Sequence, residues 1–455
     1  LKSSFGYAMN FYPSVEIMKK FYLESLGCPK NLVDSENFAA ILQQAGFRKT
    51  DNVVGADIVF VNTCAFLQSS LAELEDVLNA VEELKREGQI GRVIVSGCVM
   101  NRNPKHFQEA YPSVDNWIGL KDFATLAKLL VTELPVQRKQ LETGFHAYLR
   151  ISDGCENFCS YCKIPSIRGK LLSVPIEQLK LEAQALAARP VLSDKGRPYS
   201  PERFPQELIL IAQDSCLYGT DLYGRKALPE LIEALHEIEG FKWIRLMYLH
   251  PDHFELDWLA LFERFPRLLP YFEIPIQHVS RGIISAMHRQ KSETELTELF
   301  LTIKRRLPQA ALRTTLMTGF PGESLQDYKA MQRFLKSVPL LHMGSFAFSA
   351  EDGTAAYSMQ GQIKSSAALR RQDKLEMFWE ELRQQRWENY VGQVLDVLIE
   401  GRGSDSPDEF VGRAWFQAPE IDGQVIVNSS SCKPGQIVKT EIDDVVGTTL
   451  FAHTL

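Results

Sequence analysis

Short apolar strands alternate with helical segments over most of this sequence, and no other feature narrows the fold as much. In the first 135 residues, the runs "FYLESLGC", "ADIVFVNTC" and "GRVIVSGC" are typical of strands. The segment "LQSSLAELEDVLNAVEELKREG" between the last two has apolar residues at helical spacing. A strand, a helix and a strand in this order predict parallel pairing. We therefore predict an open α/β sheet domain over residues 18–135.

Each of these three strands ends in a cysteine, and we call Cys28, Cys64 and Cys98 the strand-end triad. Ligands in open parallel sheets bind outside the carboxyl ends of the strands. We expect the three thiols to converge on one crevice, where they suit a soft metal or an iron–sulfur cluster with one open iron. Three unrelated buried cysteines are the alternative, because cysteine is often fully buried.

A second series of strands and helices covers residues 140–375. Its strands are predicted at "HAYLRIS", "ELILIAQD", "WIRLMYLH", "YFEIPIQH", "LRTTLMTGF" and "GSFAFSA". Six repeats are fewer than the eight of a closed barrel, so an incomplete (β/α)6 barrel is predicted. Functional residues are expected at the carboxyl ends of its strands. The residues that fall there are Cys155, Gln213, Asp214, His250, Gln277, His278 and Gly319.

The loop "ISDGCENFCSYCKIPSIRG" follows the first strand of this barrel and carries Cys155, Cys159 and Cys162, the loop triad. No apolar run is long enough to span a membrane, and the N-terminal sequence lacks the pattern of a secretory signal. These features predict a cytoplasmic, reducing location, which disfavours disulfides. Zinc would need a fourth cysteine or histidine at short spacing, and the loop offers none. Three thiolates can instead hold a 4Fe–4S cluster with one iron open.

The segment 388–455 contains the β-like runs "QVLDVLIEG", "FVGRAWF", "GQVIVNSS" and "QIVKTEIDD", which predict a small antiparallel β-barrel. From Glu388 to the end, eleven acidic residues oppose four basic ones, a net charge of -7 that equals that of the whole chain. A surface that binds nucleic acid should be basic. We therefore expect this barrel to meet a basic protein. An acidic face that is only solvated is the alternative.

Two flanking segments carry simpler expectations. The sequence "MKKFYLESLG" from Met18 is typical of a natural start, so residues 1–17 are predicted to be a leader without function. The helix predicted at "AALRRQDKLEMFWEELRQQRW" connects the two barrels. Its inward-facing residues are predicted to be Leu369, Leu375, Phe378 and Leu382.

The Cys-x3-Cys-x2-Cys spacing of the loop triad resembles that of the radical S-adenosylmethionine enzymes. Together with "SLGCPKNLVDSE", "VNTCAF" and "VSGC", it makes the chain similar to the methylthiotransferases from about residue 20 to the end. The resemblance implies two 4Fe–4S clusters, a radical-generating one on the loop triad and an auxiliary one on the strand-end triad. It also implies that S-adenosylmethionine serves both as methyl donor and as the source of a 5′-deoxyadenosyl radical.

Further motifs resemble the RimO-like branch of this family, which methylthiolates the β-carbon of an aspartate in ribosomal protein twelve of the small subunit. They are "LIAQDSCLYGTDLYG", "IPSIRG", "YFEIPIQH" and "APEIDGQV", and the segment 388–455 resembles a TRAM domain. The implied partners are that ribosomal protein and an electron donor such as a flavodoxin or ferredoxin, with neither nucleic acid nor a membrane. The MiaB-like branch, which modifies adenosine in transfer RNA, and a non-enzymatic iron–sulfur carrier or sensor remain alternatives.

Other residues are weaker candidates by the same resemblance. Glu207 stands where related enzymes place a Gly-Gly-Glu element that binds the amino group of S-adenosylmethionine, although a surface acid at a strand start is the alternative. Arg313 and the "GFPGES" turn, with Gly319 and Gly322, are predicted to contact the same cosubstrate, unless the turn is only a turn. The predicted substrate pocket is formed by Asp214, Gln277 and His278, although a buried core histidine is the alternative for the last.

Overall fold

A computed structural model describes residues 18–139, 141, 144–192, 199, 202–404 and 406–455. The predicted leader, residues 1–17, lies outside the described residues. Within these ranges, none of the helices combines the length and the apolar character that crossing a membrane requires.

The N-terminal domain is a five-stranded parallel sheet with helices on both faces, which confirms the predicted class. Its strand order is β2-β1-β3-β4-β5. Alternate residues of β3 enter opposite cores, Val59 and Val61 against α2, and Ile58 and Phe60 against α1. The elements are β1 (Lys20–Ser25), α1 (Pro29–Gln44), β2 (Arg48–Lys49), β3 (Ile58–Thr63), α2 (Gln68–Arg86), β4 (Arg92–Gly97), α3 (Pro104–Ala110), β5 (Asn116–Trp117) and α4 (Phe123–Leu129).

The central domain is the predicted incomplete barrel of six parallel strands. Two sheets, β10-β9-β6 and β11-β12-β13, meet at a parallel bridge between Ile244 and Leu268. The elements are β6 (His146–Arg150), β7 (Ser152–Asp153), α5 (Ile164–Arg168), β8 (Leu172–Ser173), α6 (Ile176–Ala187), β9 (Glu207–Ile211), α7 (Thr220–Tyr223), α8 (Leu228–His236), β10 (Trp243–Leu246), α9 (Leu259–Arg264), β11 (Tyr271–Glu273), α10 (Arg281–Ala286), α11 (Glu293–Arg306), β12 (Ala311–Thr318), α12 (Leu325–Ser337), β13 (His342–Ala347) and α13 (Ser365–Trp387).

The C-terminal domain is a closed five-stranded barrel in the order β14-β15-β16-β18-β17. Four strands match the predicted runs, whereas the fifth, at the chain end, was not predicted. Gly447, with a φ of 60°, allows a tight reversal after which β18 runs antiparallel to β17 and parallel to β16. The barrel is therefore not purely antiparallel. Its strands are β14 (Val394–Arg402), β15 (Glu409–Ala414), β16 (Gln424–Asn428), β17 (Ile437–Val446) and β18 (Thr449–Thr454).

Helix α13 packs against the central barrel through Leu375 and Trp379, which are buried. The prediction that Leu369 faces inward is wrong, because its side chain is 51% exposed. The inward position belongs to Ala368, which packs so closely on Gly319 that a side chain at the glycine would clash with it. The methyl group of Ala368 fits against the Gly319 backbone, so α13 turns Ala368 rather than Leu369 towards the barrel.

The two outer domains cover opposite ends of the central strands. The C-terminal barrel packs on their N-terminal ends, where Trp243 and Tyr271 share a core with Val397 and Phe416. The N-terminal domain covers the carboxyl ends. There Asn101 donates to the carbonyl of Ile167 at 2.7 Å, and Arg102 pairs with Glu351 at 2.5 Å. The carboxyl ends of the strands in both sheets therefore face the same space.

Candidate active site between two cysteine triads

The strand-end triad lies at three neighbouring strand ends, as predicted. Cys28 precedes the first turn of α1, and Cys64 and Cys98 directly follow β3 and β4. Gly27 adopts a φ of 93°, and a Cβ atom there would lie 2.7 Å from Cβ of Cys64. Burial raises the pKa of Cys98 to about 12, and the neighbouring thiols of Cys64 and Cys28 act in the same direction. The three thiols therefore share one crevice.

Arg168, at the end of α5, links this crevice to the loop that carries the other triad. Its Nη2 atom lies 3.7 Å from Sγ of Cys98 and 2.8 Å from Oδ1 of Asn31. Arg168 also forms ion pairs with Asp34 and Asp153. The side chains of Arg168 and of its three polar partners are almost fully buried. The guanidinium opposes the effect of burial on the pKa of Cys98. A cation at this place favours thiolates and a negatively charged cluster.

The loop triad occupies the turn between β7 and α5. Gly154, with a φ of 70°, lets the chain pass within contact of the Lys170 carbonyl, where any side chain would collide. The amide of Cys162 donates to the carbonyl of Cys159 at 3.0 Å, which folds the loop back on itself. Burial raises the pKa of Cys155 to about 11 and that of Cys162 to about 12. Because a metal binds the thiolate form, metal binding by these thiols would release protons.

A cavity of about 250 Å³ extends from the loop triad to the N-terminal domain, and none of the strand-end cysteines is among its lining residues. All three cysteines of the loop triad line it, and the N-terminal domain contributes Lys30 and Phe66, which lie two residues beyond Cys28 and Cys64. Its formally charged side chains, apart from the thiols, are Lys30 and Arg289. No aspartate or glutamate is among the lining residues that the structure describes. The cavity is therefore suited to a ligand that has a carboxylate group.

Four buried polar atoms in the cavity wall lack a hydrogen-bond partner among the described residues. They are Nε2 of Gln213, Nε2 of His250, Oε1 of Gln277 and Nε of Arg289. Burial, and secondly the Arg289 guanidinium, lower the pKa of His250 to about 3, so its imidazole is neutral. Buried polar groups in native proteins are nearly always paired. Four such atoms in residues that line one cavity make it a candidate ligand site with both donors and acceptors.

Backbone strain is concentrated at the same cavity. Phe158, Tyr248 and Gln277 have φ values of 46°, 63° and 68°, in the left-handed region that residues other than glycine seldom adopt. All three line the cavity. Strain of this kind costs about 1–3 kcal/mol per residue and persists mainly at functional sites.

Two of the predicted cosubstrate contacts lie at the opposite end of the barrel. Glu207 begins β9 and pairs with Arg245 at 2.6 Å and Arg413 at 2.9 Å. Burial alone would raise the pKa of Glu207, but the two guanidinium groups together lower it to about 2. Arg313, near the start of β12, pairs with Asp422 of the C-terminal barrel. The structure brings neither residue to the cavity.

Three other predicted residues are not among the described residues that line the cavity. His278 is fully buried and accepts hydrogen bonds from the amides of Val279 and Ser280, which fits the core-histidine alternative. Gly319 packs on α13, and the amide of Gly322 donates to the carbonyl of Gly361. Gln277 is the one residue of the predicted substrate pocket among the lining residues described.

Asp214 supports the cavity wall from behind. Its carboxylate accepts from Nδ2 of Asn157 at 2.9 Å and from the amide of Cys216 at 3.0 Å, and lies 2.7 Å from Nδ1 of His253. Asn157 lines the cavity, whereas Asp214 does not. The Asp214 carboxylate therefore orients Asn157, which lies between Cys155 and Cys159 on the same loop.

Sequence analysis missed Lys30 and Arg289. A signal existed for Lys30, because a cation in the first turn of a helix is disfavoured by the helix dipole and so calls for another explanation. Arg289 follows α10 and donates to the carbonyl of Pro275 at 2.6 Å. No local pattern marks it, since only the tertiary fold brings it beside the loop triad.

Comparisons with known proteins agree with the division of the chain into three domains. The Radical SAM superfamily matches residues 149–335, the uncharacterized protein family UPF0004 matches residues 20–119, and the TRAM domain matches residues 391–455. The structure of the radical S-adenosylmethionine methyltransferase TsrM from Kitasatospora setae has a TM-score of 0.50 and 12% identity, and covers 72% of this chain and 75% of that one. At that identity the likeness concerns the fold alone.

Full-length relatives narrow the assignment. A protein of Thermotoga petrophila named ribosomal protein uS12 methylthiotransferase RimO is 34% identical over 435 residues, 93% of this chain and 96% of the relative. A protein of the same name from Clostridioides difficile is 34% identical over 456 residues, 96% of this chain and 99% of the relative.

The central barrel and its cysteine loop define a radical S-adenosylmethionine enzyme. The full-length matches carry the assignment further: the chain belongs to the RimO family of methylthiotransferases.

Proposed function

We propose that this chain inserts a methylthio group at the β-carbon of an aspartate in the small-subunit ribosomal protein twelve. The observation that carries the proposal is the cavity that extends from the loop triad to Lys30 and Phe66, which follow Cys28 and Cys64 by two residues. A reaction that takes a radical from one centre and sulfur from another needs both centres to open on one space. The names of the relatives support the choice of protein substrate.

We infer that the loop triad and the strand-end triad each hold a 4Fe–4S cluster. The donor sets fit, because each triad offers three thiols and leaves one iron of a cubane open. When bound, the clusters and S-adenosylmethionine supply the radical that breaks the C–H bond and the methylthio sulfur that replaces the hydrogen. Arg168 beside Cys98 and Arg289 beside Cys159 would offset the negative charge of the thiolates that hold the two clusters.

We assign S-adenosylmethionine to the part of the cavity nearest the loop triad. Its amino group, carboxylate and ribose hydroxyls need acceptors and donors in a small volume. The unpartnered atoms of Gln213, Gln277 and Arg289 provide two donors and one acceptor there. These residues replace Glu207 and Arg313 as the proposed contacts, because the latter two are engaged in ion pairs at the other end of the barrel.

The charge of the C-terminal barrel favours a protein over a nucleic acid as the substrate. The buried Arg413 and Asp422 are engaged at the joint with the central barrel, so the remaining acids dominate its surface. The acids classed as exposed there are Glu388, Asp396, Asp408, Glu420, Asp443 and Asp444. Such a surface attracts a basic ribosomal protein and repels a phosphate backbone.

The test is mass spectrometry of ribosomal proteins and transfer RNA from a strain that lacks this gene. The proposal expects the methylthio group to vanish from the ribosomal protein and to remain on transfer RNA. The opposite result assigns the chain a transfer RNA substrate. Anaerobic reconstitution with dithionite, or with a flavodoxin or ferredoxin, separately excludes a non-enzymatic carrier if 5′-deoxyadenosine forms.

A further inference from the structure

Lys30 occupies a position that folding stability does not explain. It is the second residue of α1 and its side chain is only 5% exposed. The dipole of the helix disfavours a cation at this end, and burial of an ammonium group is costly as well. A residue that is unfavourable for folding on two counts calls for a function that needs it.

The contacts of Lys30 leave much of its hydrogen-bonding capacity unused. Its Nζ atom donates to the carbonyl of Ala212 at 3.3 Å and lies 3.6 Å from the centre of the Tyr248 ring. Within the described part of the chain it forms no ion pair with a carboxylate. An ammonium group has three N–H donors, and one carbonyl and one aromatic face use at most two of them. The remaining capacity lies at the wall of the cavity.

The two cations of the cavity belong to different sides of it. Arg289 lines the cavity together with the three cysteines of the loop triad, whereas Lys30 stands two residues after Cys28 in the strand-end triad. The proposed reaction brings two carboxylates into this space, that of S-adenosylmethionine and that of the target aspartate. The aspartate carboxylate is bonded directly to the reacting β-carbon, so it cannot remain outside the cavity.

We propose that Lys30 binds the side-chain carboxylate of the target aspartate and thereby selects a carboxylate substrate over a neutral one. This inference rests on the proposed function and adds a substrate-binding residue to it. A carboxylate that enters the cavity, whose described lining contains no aspartate or glutamate, meets a cation already in place, and the pair forms with little reorganisation. Asparagine or an adenine base offers no charge and leaves the ammonium group unpaired.

The first test needs no mutation. Holoenzyme with S-adenosylmethionine and without reductant is titrated with a labelled peptide that carries the target aspartate, and with the same peptide carrying asparagine. We expect the asparagine peptide to bind at least about 30-fold more weakly. Equal affinities overturn the inference.

The second test completes a double-mutant cycle with Lys30→Met, Lys30→Gln and Lys30→Arg. The methionine and glutamine variants should bind both peptides with the same weak affinity, and the arginine variant should retain a preference for aspartate. A merely structural role would weaken both peptides equally. Lys49→Met, at an exposed pair on β2, is the control and should match the wild type.

Two further readouts separate the possible failures. A rise in the KM for S-adenosylmethionine in Lys30→Met, with peptide affinity unchanged, would assign the carboxylate to the cosubstrate and overturn the inference. If wild-type holoenzyme does not methylthiolate the aspartate peptide, the proposed function itself is wrong. If it does, but the peptides do not discriminate, only the role of Lys30 is wrong.

Discussion

The strands of the central barrel carry polar side chains at both ends. These side chains are paired at the N-terminal ends, whereas some of them have unpaired atoms at the carboxyl ends. At the N-terminal ends, Glu207 and Arg313 pair with Arg413 and Asp422 of the C-terminal barrel. At the carboxyl ends, Gln213 and Gln277 have buried atoms without a partner among the described residues. Paired groups of this kind fix a domain joint. Unpaired groups indicate a ligand that the protein chain does not supply.

Removal of one cysteine from either triad should have the largest effect, because it removes a cluster. Cys159→Ala is expected to lose methylthiolation and 5′-deoxyadenosine formation, whereas Cys64→Ala should lose methylthiolation and keep 5′-deoxyadenosine formation. Iron content should fall by half in both. Cys432→Ala, at a buried thiol of the C-terminal barrel, is the control. Full iron content and transfer in Cys64→Ala would contradict the auxiliary cluster.

Glu207→Gln tests the joint at the N-terminal ends. It leaves the buried guanidinium groups of Arg245 and Arg413 without their shared carboxylate. We expect the free energy of unfolding to fall by about 3–5 kcal/mol, with the KM for S-adenosylmethionine unchanged. Chemical denaturation of the metal-free protein measures the first quantity. Unchanged stability with a raised KM would return Glu207 to the cosubstrate site.

The same joint should depend on pH. The ion pairs hold the pKa of Glu207 at about 2, below its ordinary value of 4.5, so the folded chain binds fewer protons there than the unfolded chain. Its contribution is present above about pH 4.5 and is lost as pH falls towards 2. The stability difference between wild type and Glu207→Gln should therefore shrink in this window. A difference that stays constant across it would contradict the assignment.

A matched pair of glutamines compares the two ends directly. Gln277→Met at the cavity should weaken S-adenosylmethionine binding about 10-fold and leave stability unchanged or higher by up to about 1 kcal/mol. Gln417→Met at the joint removes an acceptor for the Ala414 amide at 2.9 Å, so it should lower stability and leave binding unchanged. Calorimetric binding and denaturation measure both. The reverse pattern would exchange the roles of the two ends.

The smallest expected effect is on encounter with the ribosomal protein. Asp443→Asn with Asp444→Asn should lower kcat/KM about 2- to 5-fold at low salt and have no effect at high salt, because exposed charges act mainly on the association rate. Glu237→Gln with Glu239→Gln, two exposed acids of the central domain, is the control. An unchanged kcat/KM at low salt would mean that these exposed acids are only solvated and do not attract the ribosomal protein.

The sequence was a good guide to the fold and to the placement of the six cysteines, because both depend on local patterns. Strand ends mark Cys28, Cys64 and Cys98, and one short loop contains the other three thiols. The sequence was a poor guide to the role of Glu207, which was predicted to contact the cosubstrate. Glu207 begins β9, and about 20 Å of extended chain separates it from Gln213 at the cavity end of the strand. Which end of a strand meets the ligand is decided by the domains that pack on it. Arg289 was missed for a similar reason.

The central claim is that one cavity serves both triads and an aspartate. Reconstituted holoenzyme, dithionite, S-adenosylmethionine and the aspartate peptide are incubated anaerobically, and the peptide is sequenced by tandem mass spectrometry. The account predicts one methylthio group on the aspartate β-carbon, with 5′-deoxyadenosine and S-adenosylhomocysteine formed in equal amounts. An unmodified peptide alongside methylthiolated transfer RNA, added to the same mixture, would contradict it.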